Sequence, residues 1–268
     1  MTAEFSQRVR GVELKAVLFD WAGTTVDYGS LAPMRVFVEI FRRRGVEISI
    51  DEARGPMGRA KLEHIAEVAK VPRITAAWRA KYGREPTEAD VLGMYEEFLP
   101  LQREVLAAGC EMIPGVVEAI SELRRRGLKI GSTTGYTRAL MEVVAPLAAA
   151  KGYEPDCLVC SDDVAAGRPQ PWMNFRAAEM LGAYPPSAIV AVDDTPVGIV
   201  AARNAGMWAM GVSRSGNEFG LTCAEADELE RRDPQEYRRR LERATKTLRD
   251  AGAQAVIESV AELPAVLR

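Results

Sequence analysis

The sequence predicts an α/β fold, in which a doubly wound parallel sheet is interrupted early by an all-helical insertion. The first observation is an apolar run at residues 15–20 that ends in an acid and is typical of a buried strand. The second is that residues 30–107 show helical periodicity and no convincing strand. The third is a regular alternation of strands and helices after position 115, which is the pattern of a parallel sheet.

Apolar spacing and start signals place the helices of the insertion. We expect them at residues 34–44, 51–53, 57–70, 74–82 and 87–108. An apolar stripe from Met34 to Phe41 marks the first of these helices. Thr87 followed by Asp90 resembles a capping box and starts the last one.

The remaining elements complete the sheet. After the first strand we expect strands at residues 128–133, 157–161, 189–192, 208–212 and 255–257, the last at an edge. Helices are expected at residues 116–126, 138–151, 173–181, 196–205 and 260–267, with a charged, mainly helical appendage at 217–251. Residues 1–29 and 108–268 therefore form the α/β core, and residues 30–107 form the helical cap domain.

Composition excludes several classes of protein. The net charge of -3 over 268 residues gives no reason to expect a nucleic-acid partner. No apolar run approaches the roughly 20 residues that span a bilayer, and residues 1–10 lack the apolar segment of a signal peptide. We therefore expect a cytoplasmic protein without a membrane partner.

Cys157 and Cys160 lie three apart on a strand, on opposite faces, so we interpret them as buried structural cysteines.

Polar residues follow four of the strands at the edge where open α/β sheets bind ligands. One acid at a strand end is more often a helix cap than a catalyst, but four such ends in one chain indicate a site. In chain order they are Asp20, then Thr133-Thr134-Gly135, then Asp162-Asp163 with Arg168 shortly after, then Asp193-Asp194-Thr195.

This set fits phosphoryl transfer. Asp20 and Asp194 offer the hard carboxylate oxygens that Mg²⁺ prefers, and Mg²⁺ would neutralise a dianionic phosphoryl group. Thr134 and the backbone N–H groups after Asp20 can hold phosphoryl oxygens. Arg168 can orient Asp20, and the carboxylate of Asp20 can attack phosphorus to form an aspartyl-phosphate.

In order, spacing and strand context, Asp20, Thr134, Arg168 and Asp193-Asp194 resemble the haloacid dehalogenase superfamily, whose core is a Rossmann-like sheet. The resemblance implies that the backbone carbonyl of Ala22 is a further metal ligand. Phosphatases of the superfamily usually have an acid at that position, which protonates a leaving alkoxide. Because Ala22 has no proton to give, a phosphate monoester is a poor substrate for this chain.

Within the superfamily, four segments resemble the phosphonoacetaldehyde hydrolase family, and this resemblance covers nearly the whole chain. They are residues 19–29, 56–64, 131–138 and 167–169. The family cleaves a carbon–phosphorus bond to give acetaldehyde and phosphate. The resemblance implies that Lys61 forms a Schiff base with the aldehyde, so that the leaving group is a neutral enamine and Ala22 is tolerable.

Further roles follow from the same resemblance. His64, the only histidine, would transfer protons around the imine, directly or through water. Met57, Tyr136, Gly23, Thr24 and Ser30 would bind substrate, although the family often has Cys at the position of Ser30.

Two more expectations concern charge. Asp193 would act behind the metal ligands in place of an acid that relatives carry where Gly198 stands. Lys61 must be neutral to attack, and we expect burial and nearby cations such as Arg54 or Arg59 to lower its pKa.

The resemblance also implies a homodimer that associates through cap helices. The stripe from Met34 to Phe41 is a candidate contact, although it can equally pack inside the cap.

Two alternative functions stay open. A Mg²⁺-dependent phosphatase or phosphomutase of the same superfamily is disfavoured because Ala22 replaces the acid and Lys61 would have no task. A catalytically silent binding protein is disfavoured because the residues for phosphoryl transfer are intact.

Overall fold

The computed structural model describes residues 13–57, 59–108 and 111–267. The expectations for residues 1–10, together with Gly58 and Cys110, lie outside the described residues. None of the helices in the described part of the chain is long and apolar enough to cross a membrane.

Six parallel strands form one sheet, in the order β3-β2-β1-β4-β5-β6. The strands are β1 (Ala16–Phe19), β2 (Lys129–Thr134), β3 (Cys157–Cys160), β4 (Ile189–Asp193), β5 (Trp208–Val212) and β6 (Ala255–Ile257). Strand β1 lies in the centre, where Phe19 is in register with Ser132 on one side and Val192 on the other. The carboxyl ends of the three central strands therefore meet at one edge, which confirms the predicted doubly wound sheet.

Helices cover both faces of this sheet, as the predicted fold requires. The core helices are α6 (Val116–Arg125), α7 (Arg138–Ala150), α8 (Trp172–Leu181), α9 (Pro196–Asn204), α10 (Cys223–Arg232), α11 (Pro234–Asp250) and α12 (Leu263–Val266). Helices α6 and α7 pack with Val17 and Phe19 on one face, whereas α8, α9 and α11 pack with Ala16 and Leu18 on the other. Strand β1 is buried on both sides because its alternate residues enter both clusters.

The predicted helical insertion is also present. Its helices are α1 (Leu31–Arg43), α2 (Ile50–Arg54), α3 (Lys61–Ala69), α4 (Pro72–Tyr82) and α5 (Glu88–Ala108). They share their own apolar core, which includes Phe37, Ile65, Trp78 and Phe98. Because the stripe from Met34 to Phe41 is buried in this core, it packs inside the cap and is not an exposed contact for a second subunit.

Two helix boundaries differ from the prediction. Helix α1 begins three residues early because the Asp27 carboxylate accepts hydrogen bonds from the N–H groups of Leu31 and Ala32. Met57, Arg59 and Ala60 are not helical, since Ala60 has a ψ of 143° and α3 begins only at Lys61. Met57 therefore lies in a turn, where its N–H donates to the carbonyl of Arg54.

The appendage is also shorter than expected. Residues 217–222 form a loop rather than a helix, because the N–H of Asn217 donates to Asp194 and Gly220 adopts a φ of 68°. Helices α10 and α11 follow, and they pack around Phe219 and Tyr237.

Candidate active site

Asp20 lies directly after the central strand, at the edge where the neighbouring strands also end. Its N–H donates to the carbonyl of Val192, which continues the β1–β4 ladder by one residue. The side chain is buried, with 6% of its surface exposed. The end of the strand therefore holds the carboxylate in one place and shields it from bulk water.

Arg168 fixes the orientation of this carboxylate. Its guanidinium lies 2.7 Å from Asp20 Oδ1 and 3.1 Å from Asp193 Oδ2, and it donates to Thr133 Oγ1 at 2.9 Å. Burial acts to lower the pKa of the Arg168 guanidinium, but the carboxylates of Asp193 and Asp20 outweigh it and raise that pKa. Arg168 is therefore a permanent cation between two carboxylates, as the sequence predicts for Asp20.

Three buried carboxylates converge on a point that suits a divalent cation. One oxygen each from Asp20, Asp193 and Asp194 lies within 4.8 Å of the others. Burial, followed by the negative charges of Asp20 and Asp193, raises the pKa of Asp194 well above its ordinary value. Such repulsion between buried carboxylates is relieved by a bound cation. Because all the donors are hard oxygens, the residues fit Mg²⁺.

The metal-ligand position Asp194 is held from several sides. Oδ1 accepts from Thr24 Oγ1 at 3.1 Å, and Oδ2 accepts from the N–H of Asn217 at 2.7 Å. Gly23 approaches so closely, at a φ of 81°, that a Cβ there would lie 2.1 Å from Asp194 Oδ2. Glycine is therefore required at position 23 both for the backbone conformation and for space.

Asp193 occupies the space that a side chain at position 198 would need. A Cβ on Gly198 would lie 2.0 Å from the Asp193 carboxylate. That carboxylate accepts from the N–H and the hydroxyl of Thr195 at 2.9 Å and 2.7 Å, and burial raises the pKa of Asp193 to about 6. The acid at position 193 thus needs a glycine at position 198. This supports the prediction that Asp193 takes the place of an acid at position 198.

A small cavity of about 20 Å³ lies beside Asp20, with room for about one water molecule. Its lining combines core and cap residues: Asp20, Ala22, Ser30, Met57, Lys61, Thr134, Gly135, Tyr136, Arg168 and Thr195. Most of the residues that the sequence predicts for catalysis and substrate binding are therefore brought together.

Lys61 reaches this cavity from the first residue of α3. Only 3% of its surface is exposed, and its Nζ lies 5.1 Å from the ring centre of Tyr136 and 5.6 Å from that of Phe37. Burial, with a smaller contribution from the charge of Arg168, lowers the pKa of Lys61 to about 8 against the opposing charges of Asp20 and Asp27.

The expected depression is present, but the cation responsible differs from the prediction. The charge that acts on Lys61 is that of Arg168. Arg54 is instead engaged with carbonyl groups of Gly29, Asn217 and Gly220. Sequence proximity within the cap was misleading because Arg168 comes from the core loop that faces Lys61.

His64 lies one turn after Lys61 but does not line the cavity. Its ring is stacked on Phe37 at 3.9 Å, and Nε2 lies 2.7 Å from the carbonyl of Ala53. Nδ1 has no hydrogen-bond partner among the described residues. Burial, with Lys61 next, lowers the pKa of His64 to about 3, so the imidazole is neutral at pH 7 and its Nε2–H donates to Ala53.

The hydroxyl groups in the cavity differ in their bonding. Thr134 Oγ1 accepts from the N–H of Tyr136 at 3.1 Å, which leaves the hydroxyl hydrogen available for a phosphoryl oxygen. Ser30 Oγ is buried and has no hydrogen-bond partner within residues 13–57, 59–108 and 111–267. Ser30 can therefore take a polar group of a substrate.

Gly23 and Thr24 do not reach the cavity, although both were expected to bind substrate. Their N–H groups donate within the turn, to Val26 and Trp21, and Thr24 bonds to Asp194 through its hydroxyl. Both therefore contact the metal-ligand position Asp194, and their role in binding substrate stays a prediction.

Four residues of the site were not assigned from the sequence. Gly135 and Thr195 line the cavity; both directly follow residues that were assigned, which is a signal that could have identified them. Asn217 binds Asp194 through its backbone, and Thr133 accepts from Arg168, contacts that residue type alone does not reveal.

The chain is similar to known hydrolases over nearly its whole length. Residues 14–206 match a family model described as haloacid dehalogenase-like hydrolase. The chain is 48% identical to a phosphonoacetaldehyde hydrolase of Bacillus cereus over 96% of each chain. It is also 48% identical to a bifunctional phosphonoacetaldehyde hydrolase/aminoethylphosphonate transaminase of Clostridioides difficile, over 97% of this chain but only 41% of that relative. A crystal structure of a phosphonoacetaldehyde hydrolase-like protein from Oleispira antarctica has a TM-score of 0.91 at 40% identity and covers 95% of this chain and 91% of that one.

Proposed function

Since this chain belongs to the haloacid dehalogenase-like hydrolases and, among them, to the phosphonoacetaldehyde hydrolase family, we propose that it cleaves phosphonoacetaldehyde to acetaldehyde and phosphate. The observation that carries the proposal is that Lys61 and Asp20, an amine and a carboxylate, line one small cavity. Ala22 lines the same cavity in place of a proton donor. This combination suits a substrate that carries an aldehyde and a phosphonate group.

The reaction begins at Lys61. The neutral amine attacks the aldehyde carbon, water leaves, and a protonated imine forms between Nζ and the substrate. With a pKa of about 8, roughly a tenth of the lysine is neutral at pH 7, against about 0.04% at an ordinary value near 10.4. Burial thus makes the first step accessible at neutral pH.

Asp20 then breaks the carbon–phosphorus bond. An oxygen of its carboxylate attacks phosphorus, and the bonding pair of the carbon–phosphorus bond moves into the imine to leave a neutral enamine on Lys61. The phosphoryl group is now on Asp20, which Arg168 holds at 2.7 Å. Thr134 donates to a phosphoryl oxygen. No alkoxide leaves, so no acid is needed at position 22.

Two hydrolyses complete the cycle. The enamine carbon takes a proton, and water releases acetaldehyde and the free amine of Lys61. Water also attacks phosphorus on Asp20, which releases phosphate and restores the carboxylate. We assign the proton transfers around the imine to His64 acting through water, because its neutral ring keeps Nδ1 as an acceptor.

Asp20, Asp194 and the carbonyl of Ala22 would hold Mg²⁺ in this proposal, with Asp193 behind them. The ion would supply positive charge that offsets the repulsion between the Asp20 carboxylate and the phosphonate oxygens. The buried carboxylate cluster supports this assignment.

The alternatives are weaker on specific grounds. A phosphatase or phosphomutase that acts on phosphate esters leaves Lys61 without a task, although its burial lowers its pKa to about 8 in the cavity. A silent binding protein does not explain why Arg168 orients Asp20 beside a converging carboxylate cluster.

Product analysis tests the three readings. The purified protein is incubated with phosphonoacetaldehyde and Mg²⁺, and in parallel with a panel of phosphate monoesters. We expect equal amounts of phosphate and acetaldehyde from the phosphonate, loss of both on chelation by EDTA, and negligible release from the esters. Faster release from an ester would support the phosphatase, and no release from any substrate would support the binding protein.

We also propose a homodimer that associates through cap helices. The outer surface of the cap exposes Leu62 and Leu92, at 41% and 49%, in an apolar groove of about 550 Å³ between α3 and α5. Burial of such side chains stabilises an interface. Sedimentation of the wild type and of Leu92→Glu tests this: the substitution should yield monomers, and a monomeric wild type contradicts the proposal.

The division into a core (1–29 and 108–268) and a cap (30–107) is part of the proposal, as is a cytoplasmic location. Separate apolar clusters in the two parts support the division. The described cysteines are free thiols, as is usual in a reducing compartment. Cell fractionation tests the location.

A further inference from the structure

We propose that Arg54 is a positioning residue that couples closure of the cap to the geometry of Asp194. The inference rests on the proposed function for its kinetic consequences, since only a phosphoryl-transfer site gives Asp194 a task. It concerns a group that touches no reacting atom and acts through a loop of the core.

Arg54 is a cap residue whose charge is buried against the core. It ends helix α2, with 9% of its surface exposed. Its guanidinium donates to the carbonyls of Gly29 at 2.7 Å, Asn217 at 3.1 Å and Gly220 at 3.0 Å, and to Asn217 Oδ1 at 3.2 Å. Among the described residues, no carboxylate lies within ion-pair distance of it. A buried cation bonded only to neutral oxygens is costly to maintain, which indicates a task beyond stability.

The loop that Arg54 holds also holds Asp194. The N–H of Asn217 donates to Asp194 Oδ2 at 2.7 Å, while the carbonyl of the same residue accepts from Arg54. Two consecutive hydrogen bonds through one residue therefore connect the cap to the metal-ligand carboxylate. Ser215 extends the connection, since its hydroxyl donates to the carbonyl of Gly23, which itself contacts Asp194.

The packing of this loop supports the coupling independently of the hydrogen bonds. A Cβ on Gly220 would lie 2.7 Å from Arg54 Cζ, and a Cβ on Gly216 would lie 2.6 Å from Asp194 Cβ. The loop is thus in contact with the guanidinium at one glycine and with the carboxylate at the other. A displacement of either partner would be transmitted through backbone with little room to absorb it.

Movement of the cap should change how firmly Asp194 is held. Lys61, Met57 and Arg54 all belong to the cap, so a movement that opens the cavity also withdraws the guanidinium from the carbonyls of Asn217 and Gly220. The loop then loses its anchor and Asp194 is held less firmly. Asp194 reaches its working position only when Lys61 is also beside Asp20, so the two halves of the reaction are assembled together.

Substitution of Arg54 tests the coupling, with Arg73 as the matched control. Arg54→Lys keeps the charge but cannot reach all four acceptors, and Arg54→Met removes the charge. Arg73 lies in the same cap and bonds only within it, to Glu52 and the carbonyl of Glu47. For each folded variant we would measure kcat and KM for phosphate release. The affinity for Mn²⁺ would be measured by electron paramagnetic resonance.

We expect both Arg54 variants to lose tenfold to a hundredfold in kcat and about tenfold in Mn²⁺ affinity, typical of groups that orient a metal ligand. Arg73→Met should change neither quantity by more than about twofold. Wild-type kcat and Mn²⁺ affinity in Arg54→Lys would overturn the proposal.

A variant on the core side guards against misfolding. Gly220→Ala would push the guanidinium away, so it should reduce Mn²⁺ affinity and add no further loss when combined with Arg54→Lys. Full additivity of the two losses would contradict the coupling. Failure of the proposed function can be distinguished from failure of the coupling. If the proposed function is wrong, the wild type will not release phosphate, but the difference in Mn²⁺ affinity between wild type and Arg54→Lys can still be measured.

Discussion

Lys61 and His64 lie on one turn of helix α3, and burial lowers the pKa of both side chains. The effects on chemistry are opposite. Lys61, with a pKa of about 8, gains a reactive neutral fraction at pH 7, whereas His64, with a pKa of about 3, loses its ability to be a cation there. The same apolar surroundings therefore give Lys61 a neutral fraction that can attack and keep the His64 ring neutral.

The pH dependence of the reaction should report Lys61. Below pH 8 the amine is mostly protonated, so kcat/KM should fall about tenfold for each pH unit and level off above about pH 8. Steady-state kinetics between pH 6 and 10 measures this, with the titration of the substrate phosphonate followed by ³¹P NMR as the control. A rise that continues past pH 10 would mean that Lys61 is not depressed.

The single histidine can be followed directly. The chain has one histidine, so its imidazole protons give one set of NMR signals without assignment by mutation. We expect no titration between pH 8 and 5, because burial and the Lys61 charge lower the pKa of His64 to about 3. A midpoint near 6.5 would contradict the burial of the ring that lowers its pKa.

At this scale the sequence predicts residue types better than contacts. Asp20, Lys61, Thr134 and Arg168 all reach one cavity as their motifs indicate. The contacts of Gly23 and Thr24 with Asp194 were not predicted, because they join residues that are distant in the chain. Such contacts depend on sheet order rather than on a local pattern.

The turn from β4 to α9 brings an acid, Asp193, against a glycine, Gly198. Asp193 reaches back over Gly198, and together they place one carboxylate behind the metal-ligand position and against Arg168. The acid at position 193 therefore depends on the absence of a side chain at position 198.

A double-mutant cycle tests whether positions 193 and 198 depend on each other. Gly198→Asp alone should destabilise the fold by about 2–3 kcal/mol, because the new side chain overlaps the Asp193 carboxylate. Asp193→Gly alone should lower kcat tenfold to a hundredfold by releasing Arg168. The combined variant should recover stability and part of the activity, as measured by denaturant unfolding and phosphate release. Strictly additive losses would show that the two positions are independent.

Helices and strands are predicted correctly from the sequence where the apolar periodicity is strong. The prediction fails where a tertiary contact determines the backbone conformation. The periodic run at 57–70 predicts one helix, yet Ala60 is extended and separates Met57 from Lys61. The loop at 217–222 is held by Asp194 and Arg54, which no local pattern announces.

The cap lies against the core in this structure, with a small cavity between them beside Asp20. A cavity of about 20 Å³ cannot admit a substrate with an aldehyde and a phosphonate group, so the cap must move during each turnover. The two-domain organisation is predictable from the sequence because strands are absent from the cap pattern. The position of the cap against the core is not predictable from the sequence, since it depends on how α3 meets the core loop that carries Arg168.

A disulfide across the cap–core contact tests this requirement. A Cβ on Gly167 would lie 3.7 Å from Ala60 Cβ, within the range that a disulfide spans. Ala60→Cys combined with Gly167→Cys should lose nearly all activity on oxidation and regain it on reduction, whereas each single variant should not respond. Full activity in the oxidised protein, with the bond verified by mass spectrometry, would show that opening is unnecessary.

Reductive trapping measures most directly whether Lys61 forms a covalent imine with the substrate. Incubation with phosphonoacetaldehyde, Mg²⁺ and borohydride should attach one product-derived ethyl group at Lys61, located by peptide mass spectrometry. Lys70→Ala, which removes an exposed lysine beyond the end of the same helix, should be trapped like the wild type. Trapping at another lysine, or phosphate release that survives Lys61→Ala, would contradict the account.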